Sequence, residues 1–205
     1  MSAHDHDAST TMAGRVNALI AKLEARGIVT SRDVDAALEA FVAGASPVNG
    51  ARLVARAWSD PAFFARLIAD ANGAIDELGL DLRHWARVQL RAVANSAGAH
   101  NVIVCTLCSC YPIGLLGPSP SWYKSDAYRA RVVREPRAVL AEFGVVLPPD
   151  VNVRVWDSTA ELRYIVVPMR PPGTEAMTEA ELVQLVTRDT LIGTAICRSE
   201  PAAMD

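Results

Sequence analysis

Three cysteines, Cys105, Cys108 and Cys110, fall within six positions in the stretch VCTLCSC (residues 104–110), and the chain has one other, Cys197. Thiols set this close suit metal binding or redox chemistry. A structural zinc or iron–sulfur site wants four protein ligands. Cys197 is remote in sequence, and His84 and His100, the candidates for a fourth ligand, stand at no ligand spacing. A C-x-x-C redox pair of Cys105 and Cys108 would leave Cys110 without a role and would lie in a proline-rich loop instead of at a helix N-terminus. The tripeptide Cys108-Ser109-Cys110 offers chelation by itself. The Cys108 sulfur and Ser109 nitrogen close a six-membered ring on an ion, the Ser109 and Cys110 nitrogens a five-membered one, and the Cys110 nitrogen and its own sulfur another. Two thiolates and two deprotonated amides can thus share a plane, Cys105 supplies an axial sulfur, and a sixth position stays open. Ser109 is small enough to let its backbone approach the ion. Such electron-rich donors suit a small trivalent transition metal, not calcium or magnesium. The open position would act as a Lewis acid, polarising a bound substrate or acidifying a bound water.

The loop needs a frame. Residues 87–94 (RVQLRAVA) and 151–157 (VNVRVWD) alternate apolar and polar, and 101–105 (NVIVC) and 162–168 (LRYIVVP) are rich in β-branched residues, which predicts four strands. One helix is expected from about Ser121 to Phe143, bent or broken at Pro136. Another starts at the capping box Thr178-x-x-Glu181 and continues through Leu182, Leu185 and Val186. The first half reads as helical. Val16, Leu19, Ile20 and Leu23 form one stripe, and Ser31 caps a second helix bearing Val34, Leu38 and Phe41. A third covers Ala51 to Trp58, and Asp60-Pro61 opens a fourth through Phe64, Leu67 and Ile68. These narrow apolar stripes must lie against something larger, either their own domain or a partner. The expected fold class is α+β. A helical N-terminal region over residues 1–95, read as a partner-clasping arm, precedes a layered metal-binding domain over residues 96–205 with a mixed β-sheet and flanking helices.

Charge and hydropathy exclude two classes of partner. With 20 Lys and Arg against 23 Asp and Glu, and with the arginine cluster Arg129, Arg131, Arg134 and Arg137 interrupted by Glu135, no nucleic-acid surface is expected. No Asp, Glu, Lys or Arg occurs between Arg91 and Lys124, yet Pro112, Gly114, Gly117, Pro118 and Pro120 break any membrane-spanning helix there. The start MSAHDHDASTTMAG lacks the basic and then apolar pattern of a secretory signal, so a cytoplasmic location is expected. In that reducing compartment clustered thiols serve metals or redox chemistry more often than disulfides.

VCTLCSC followed by YP, then WYKSDAYRARVVREPRAVLAEFG, RVWDSTAELRYIVVPMRPPGTE and LVTRDTLIG, resembles the α subunit of nitrile hydratase, with interruptions, from about residue 50 to 196. The resemblance implies that family's fold and one non-corrin cobalt(III) ion per chain, with iron(III) as the alternative. The ion would be held by Cys105, Cys108, Cys110 and the backbone amides of Ser109 and Cys110. In that family threonine after the first cysteine goes with cobalt and serine with iron, so Thr106 points to cobalt. Also implied are Cys108 as a sulfinic acid and Cys110 as a sulfenic acid, the first rungs of thiol oxidation, with Cys105 left as a thiolate. The implied reaction is R–C≡N + H2O → R–C(O)NH2. The metal would bind the nitrile nitrogen, and the Cys110 sulfenate oxygen or a metal-activated water would attack the carbon, with Cys110 and Cys108 as the catalytic pair. The implied partners are a β subunit, as one chain or split into two, whose arginines bond to the oxidised cysteines, a cobalt-delivering activator protein, and a small-molecule nitrile.

Just downstream the chain departs from that pattern. The family's Trp-Pro after YP is Ile113-Gly114 here, and its LGLPP is LLGPSP. Losing an indole beside the metal reshapes the pocket and points to a bulky or heteroaromatic nitrile, including nitrile-bearing nucleosides. Tyr111 and Ile113 are therefore pocket candidates. Arg163, in LRYIVVP, matches an arginine near the family's active site and would tether the oxidised cysteines, with an ordinary strand salt bridge as the alternative. A glutamine frequent before the first motif strand is replaced near Ala86, so its role is not carried over. Trp122 and Tyr123 read as core or interface aromatics, and Cys197 as a buried small hydrophobe. Two other functions fit the motif. One is thiocyanate hydrolase, which shares the cobalt site; the other, of a different class, is a non-catalytic metal carrier or redox sensor with unoxidised cysteines.

Overall fold

A computed structural model describes residues 11–80, 88–108 and 110–200, apart from the side chains of Val42 and Ala43. Internal packing divides the chain into two units, Met1–Ala43 and Gly44–Asp205. In the first, α1 (Met12–Glu24) is capped by Thr11, whose hydroxyl accepts from the Gly14 N–H at 3.1 Å. Thr30 and Asp33 cap α2 (Ser31–Gly44) reciprocally, with N–H to side-chain oxygen distances of 2.8 and 3.2 Å. The stripe read on α1 finds no core there: Val16 and Leu19 are 47 and 56 % exposed, Ile20 and Leu23 are half-buried, and no residue of the helix is buried.

The second unit begins well before residue 95. Helix α3 (Pro47–Ser59), entered through the Ser46 cap and Pro47, buries Leu53 and Val54 in the same core as Val102, Ile103, Ile165 and Leu191. It therefore belongs with the strands, and so do α4 (Pro61–Ala69), capped by Asp60, and α5 (Ala71–Glu77), capped by Asp70.

All four expected strands form. β1 (Gln89–Ala94) runs parallel to β4 (Leu162–Val167), from Gln89↔Leu162 to Ala94↔Val167. β2 (Ala99–Val104) runs parallel to β3 (Asn152–Asp157), from Ala99↔Asn152 to Val104↔Asp157. The mixed sheet is thus resolved into two parallel ladders, and side-chain amides bond across the step between them. Asn101 donates from its backbone N–H to Asn95 Oδ1 at 2.7 Å and from Nδ2 to the Ala94 carbonyl at 2.8 Å, while Trp156 Nε1 donates to Asn101 Oδ1 at 2.8 Å. His100 is buried in this network, with Nδ1 3.3 Å from Asn95 Nδ2 and Nε2 2.7 Å from the Gly193 carbonyl. Burial lowers its pKa, and both ring nitrogens are engaged, so it is not available as a ligand.

The crossover from β2 to β3 carries the cysteine loop and then α6 (Ile113–Leu116), a 3-10 turn at Ser121–Lys124, α7 (Asp126–Arg131) and α8 (Pro136–Glu142). The helix expected from Ser121 to Phe143 is therefore three pieces, because Ser125 caps α7 and Pro136 opens α8. Similarly, the Thr178 box opens α9 (Glu179–Val183), but a second box at Thr187 starts α10 (Arg188–Ile192). Gly50 lets α3 lie against α6, since a Cβ there would sit 2.7 Å from the Leu115 carbonyl oxygen. Among the described residues no helix is long and apolar enough to cross a membrane.

Candidate metal centre

The cysteine loop leaves β2 at Val104, whose carbonyl accepts from the Ser158 N–H at 2.7 Å, so it starts beside the end of β3. The three sulfurs all lie within 4.8 Å of one another. Cys105 Sγ is 3.4 Å from Cys108 Sγ, which is 3.0 Å from Cys110 Sγ, and the Cys108 N–H donates to Cys105 Sγ at 3.3 Å. These separations exceed the ~2.05 Å of a disulfide. With metal–sulfur bonds of about 2.3 Å, two ligands at right angles would be about 3.3 Å apart. The donor set therefore fits one small ion, with Cys105 and Cys110 buried and Cys108 exposed. Cys197 stands apart, a buried thiol whose burial pushes its pKa up to about 11, in keeping with a small hydrophobe. Ser109, the other expected ligand, lies outside the described residues, as do His84 and Ala86.

Charged and aromatic side chains to which the sequence reading gave no role at the cysteines hold this loop. Asp157, the last residue of β3, accepts the Thr106 N–H at 2.9 Å on one oxygen and the Thr106 hydroxyl at 2.6 Å on the other. Arg129 of α7 donates through Nε to the Cys105 carbonyl at 3.2 Å and through Nη2 to the Thr106 carbonyl at 2.6 Å. Tyr123 donates its phenol O–H to the Cys110 carbonyl at 3.2 Å, and Tyr128 donates to the Ile103 carbonyl at 2.7 Å. Trp122 packs edge-on to Tyr128 at 4.9 Å between ring centres, so Trp122 and Tyr123 take the core role expected of them. Asp157 ends a strand whose alternation was legible, but its target was not, because that depends on which strand lies alongside.

The chemistry around the sulfurs is uneven. Burial, reinforced by the hydrogen bond with Cys108, pushes the Cys110 thiol up to about 12, and the positive charge of Arg163 pulls the other way. Arg163 forms no salt bridge among the described residues, and its Nη1 is buried without a hydrogen-bond partner. Arg163 itself is half-buried, and a guanidinium with one buried, unsatisfied N–H whose charge is felt at Cys110 is suited to hold a negatively charged oxygen. The strand salt bridge offered as its alternative role is thus absent among the described residues. Tyr111 is buried with its ring edge-on to Tyr123 at 4.9 Å and its hydroxyl unpartnered, while Ile113 opens α6, half-buried against the core.

Comparison with known proteins agrees with this geometry. Residues 10–195 match the family model described as nitrile hydratase, alpha chain. The chain is 48 % identical over 185 residues to the low-molecular weight cobalt-containing nitrile hydratase subunit alpha of Rhodococcus rhodochrous, covering 90 % of this chain and 88 % of that one. It is 47 % identical over 165 residues to the thiocyanate hydrolase subunit gamma of Thiobacillus thioparus, over 76 % of this chain and 68 % of that one. Among solved structures, a double mutant of the Fe-type nitrile hydratase of Comamonas testosteroni Ni1 superposes with a TM-score of 0.84 at 42 % identity, covering 95 % of this chain and 94 % of that one. With three cysteines gathered as one ion would require and a family match spanning nearly the whole described chain, this protein belongs to the nitrile hydratase α-chain family.

Proposed function

We propose that this chain is the catalytic subunit of a cobalt nitrile hydratase, holding Co(III) through Cys105, Cys108, Cys110 and the backbone amides of Ser109 and Cys110. The carrying observation is the convergence of the three sulfurs within 4.8 Å on a loop pinned by Asp157, Arg129 and Tyr123. Thr106 and the cobalt-containing relative support cobalt, whereas the overall fold is shared with an Fe-type enzyme and does not discriminate between the metals. When bound, the trivalent ion supplies Lewis acidity that makes a nitrile carbon electrophilic.

The chain's own residues supply the rest. Cys105 and Cys110 are buried and Cys108 is exposed, so a nitrile and a partner would reach the loop from the Cys108 side. Oxidised Cys110 provides an oxygen beside the nitrile carbon, and Arg163 Nη1 offers the N–H and positive charge that hold such an oxygen in place. The net reaction adds one water across the triple bond, giving the amide with no redox change. Tyr111 and Ile113 line the approach, and Ile113 with Gly114 in place of an indole and a proline suits a bulky or heteroaromatic nitrile. The exposed apolar stripe of α1 supports its reading as an arm that clasps a β subunit, and an activator protein would deliver the ion.

The test is co-expression with a β subunit and activator in cobalt medium, followed by metal analysis, intact mass and a nitrile panel. We expect one cobalt per chain, a mass gain of about 48 Da for three added oxygens, and faster turnover of heteroaromatic nitriles than of acetonitrile. A chain that holds no cobalt and forms no amide overturns the reading. The 47 % identity to the thiocyanate hydrolase subunit keeps a second activity in view. Thiocyanate conversion to carbonyl sulfide and ammonia, with no amide formed from any nitrile, would establish that activity instead.

A further inference from the structure

We propose that Arg129 is a positioning residue for the metal centre, fixing the peptide that carries Cys105 by bridging two successive carbonyls of the cysteine loop. The inference rests on reading the three cysteines as metal ligands. Arg129 reaches from α7, its side chain 22 % exposed, and presents one edge of its guanidinium to the loop, Nε to the Cys105 carbonyl at 3.2 Å and Nη2 to the Thr106 carbonyl at 2.6 Å. In an extended chain successive carbonyls point to opposite sides. Here two neighbours point to one cation, so the backbone must turn, and a planar fork is the donor that fits two acceptors at once. The remaining nitrogen, Nη1, meets only the fully exposed Asp126 at 3.4 Å, a contact that water competes for.

The peptide between Cys105 and Thr106 is therefore held at both ends by opposite charges. Its carbonyl accepts from Arg129 and its N–H donates to Asp157 Oδ1 at 2.9 Å. Charged partners at the two ends of one amide strengthen each other, since each polarises the bond the other uses. That peptide sets the direction in which the Cys105 side chain leaves the backbone. Cys105 Sγ must meet the sulfurs of Cys108 and Cys110 on one ion and also accepts the Cys108 N–H at 3.3 Å. Freed from Arg129, the plane could rotate and carry this sulfur away from the other two without unfolding the strands beneath it.

The experiment compares the cobalt-loaded hetero-oligomer carrying the wild-type chain, Arg129→Ala, Arg129→Lys or Arg131→Ala. Arg131 lies on the same helix and pairs with the exposed Glu135 and Glu142, remote from the cysteines in the bonding scheme. The readouts are cobalt released to a chelator over time, the position of the sulfur-to-cobalt absorption bands, and the melting curve. Arg129→Ala should release cobalt roughly tenfold faster or more, as expected for losing a charge-assisted bidentate contact, with shifted bands. Arg129→Lys, able to satisfy one carbonyl at a time, should fall between, and Arg131→Ala should match the wild type. Wild-type release and unshifted bands in Arg129→Ala would overturn the proposal, as would equal acceleration in Arg131→Ala. Should Arg129→Ala fail to fold, Arg129→Lys decides by the same two readouts. A wild-type protein that takes up no cobalt would overturn the metal reading itself, a result distinct from wild-type retention by the Arg129 variants.

Discussion

Gly193→Ala offers a quantitative test of how α10 is docked on the strand that leads to the cysteines. Gly193 ends α10 with φ at +93°, and a Cβ placed on it would lie 2.0 Å from the Asn101 carbonyl oxygen and 2.9 Å from Val102 Cα. Three costs add. A left-handed conformation for an L-residue costs about 1–2 kcal/mol. Relieving the overlap means moving α10 or β2 by more than an ångström, an overpacking cost of about 1–3 kcal/mol. Moving the Gly193 carbonyl also breaks its 2.7 Å contact with His100 Nε2, about 1 kcal/mol for a buried hydrogen bond. The sum is about 3–6 kcal/mol, and at roughly 2–4 °C per kcal/mol for a domain of this size the melting point should fall by about 6–24 °C. Thermal unfolding by near-ultraviolet circular dichroism measures it. Gly98→Ala is the matched control, because nothing lies within 4 Å of a Cβ there, and it should change stability by no more than about 0.5 kcal/mol. A Gly193→Ala chain within about 1 kcal/mol of the wild type would refute the reasoning.

Three further outcomes follow from the same geometry. His100 is held neutral by burial, with its pKa below the ordinary 6.5; the unfolded chain therefore binds more protons as pH falls through 6.5, and stability should drop there by up to about 1.4 kcal/mol per pH unit. The reverse slope, or one unchanged in His100→Asn, would contradict this in denaturant titrations at pH 5 to 8. Tyr128→Phe removes a 2.7 Å bond to the Ile103 carbonyl and should cost about 1–2 kcal/mol, whereas Tyr111→Phe removes a buried hydroxyl with no partner and should be neutral or stabilising; equal costs by chemical denaturation would undo that distinction. Cys105→Ala should give a folded chain that retains no cobalt and hydrates no nitrile, and retention of both would remove Cys105 from the ligand set.

Much of the frame was legible because it is written in local chemistry. All four strands coincide with the alternating and β-branched runs, and the helix starts at Pro61 and Glu179 fall where the Asp60-Pro61 pair and the Thr178 box place them, whereas α3 begins four residues before the expected Ala51 and Pro136 opens a helix where a bend or break was expected. Helix ends were less legible. Leu185 and Val186 continue an apolar stripe, so nothing before them announces that Thr187 begins a new helix; the break becomes necessary only when α10 must end against β2 at Gly193. The division of the chain at Gly44 was not legible either, because the stripe of α3 looks like those of α1 and α2 until its partners Ile103, Ile165 and Leu191 are known. The cysteines announced the centre through their spacing. Its supports did not announce themselves, since Asp157, Arg129 and Tyr123 lie 13 to 51 residues from the loop residues they hold and have no pattern in common.

Strand direction is what assembles those supports. In a parallel pair the C-terminal ends of both strands reach the same edge, so the register Val104↔Asp157 places the carboxylate of β3 beside the first residues of the loop that leaves β2. Had β3 run the other way with the same residues opposite β2, Asn152 would stand there, and the Thr106 N–H and hydroxyl would face a neutral amide. A parallel neighbour cannot follow by a tight hairpin and needs a crossover. That crossover, residues 105–151, supplies the cysteines, Tyr123, Tyr128 and Arg129 in a single excursion. The cysteine loop and its clamps therefore belong to one β-crossover-β unit closed by Asp157. Exchanging Asp157 for Asn keeps the shape but removes the charge. It should weaken the grip on Thr106 while leaving both ladders intact, an outcome visible as faster cobalt release without a matching fall in melting temperature.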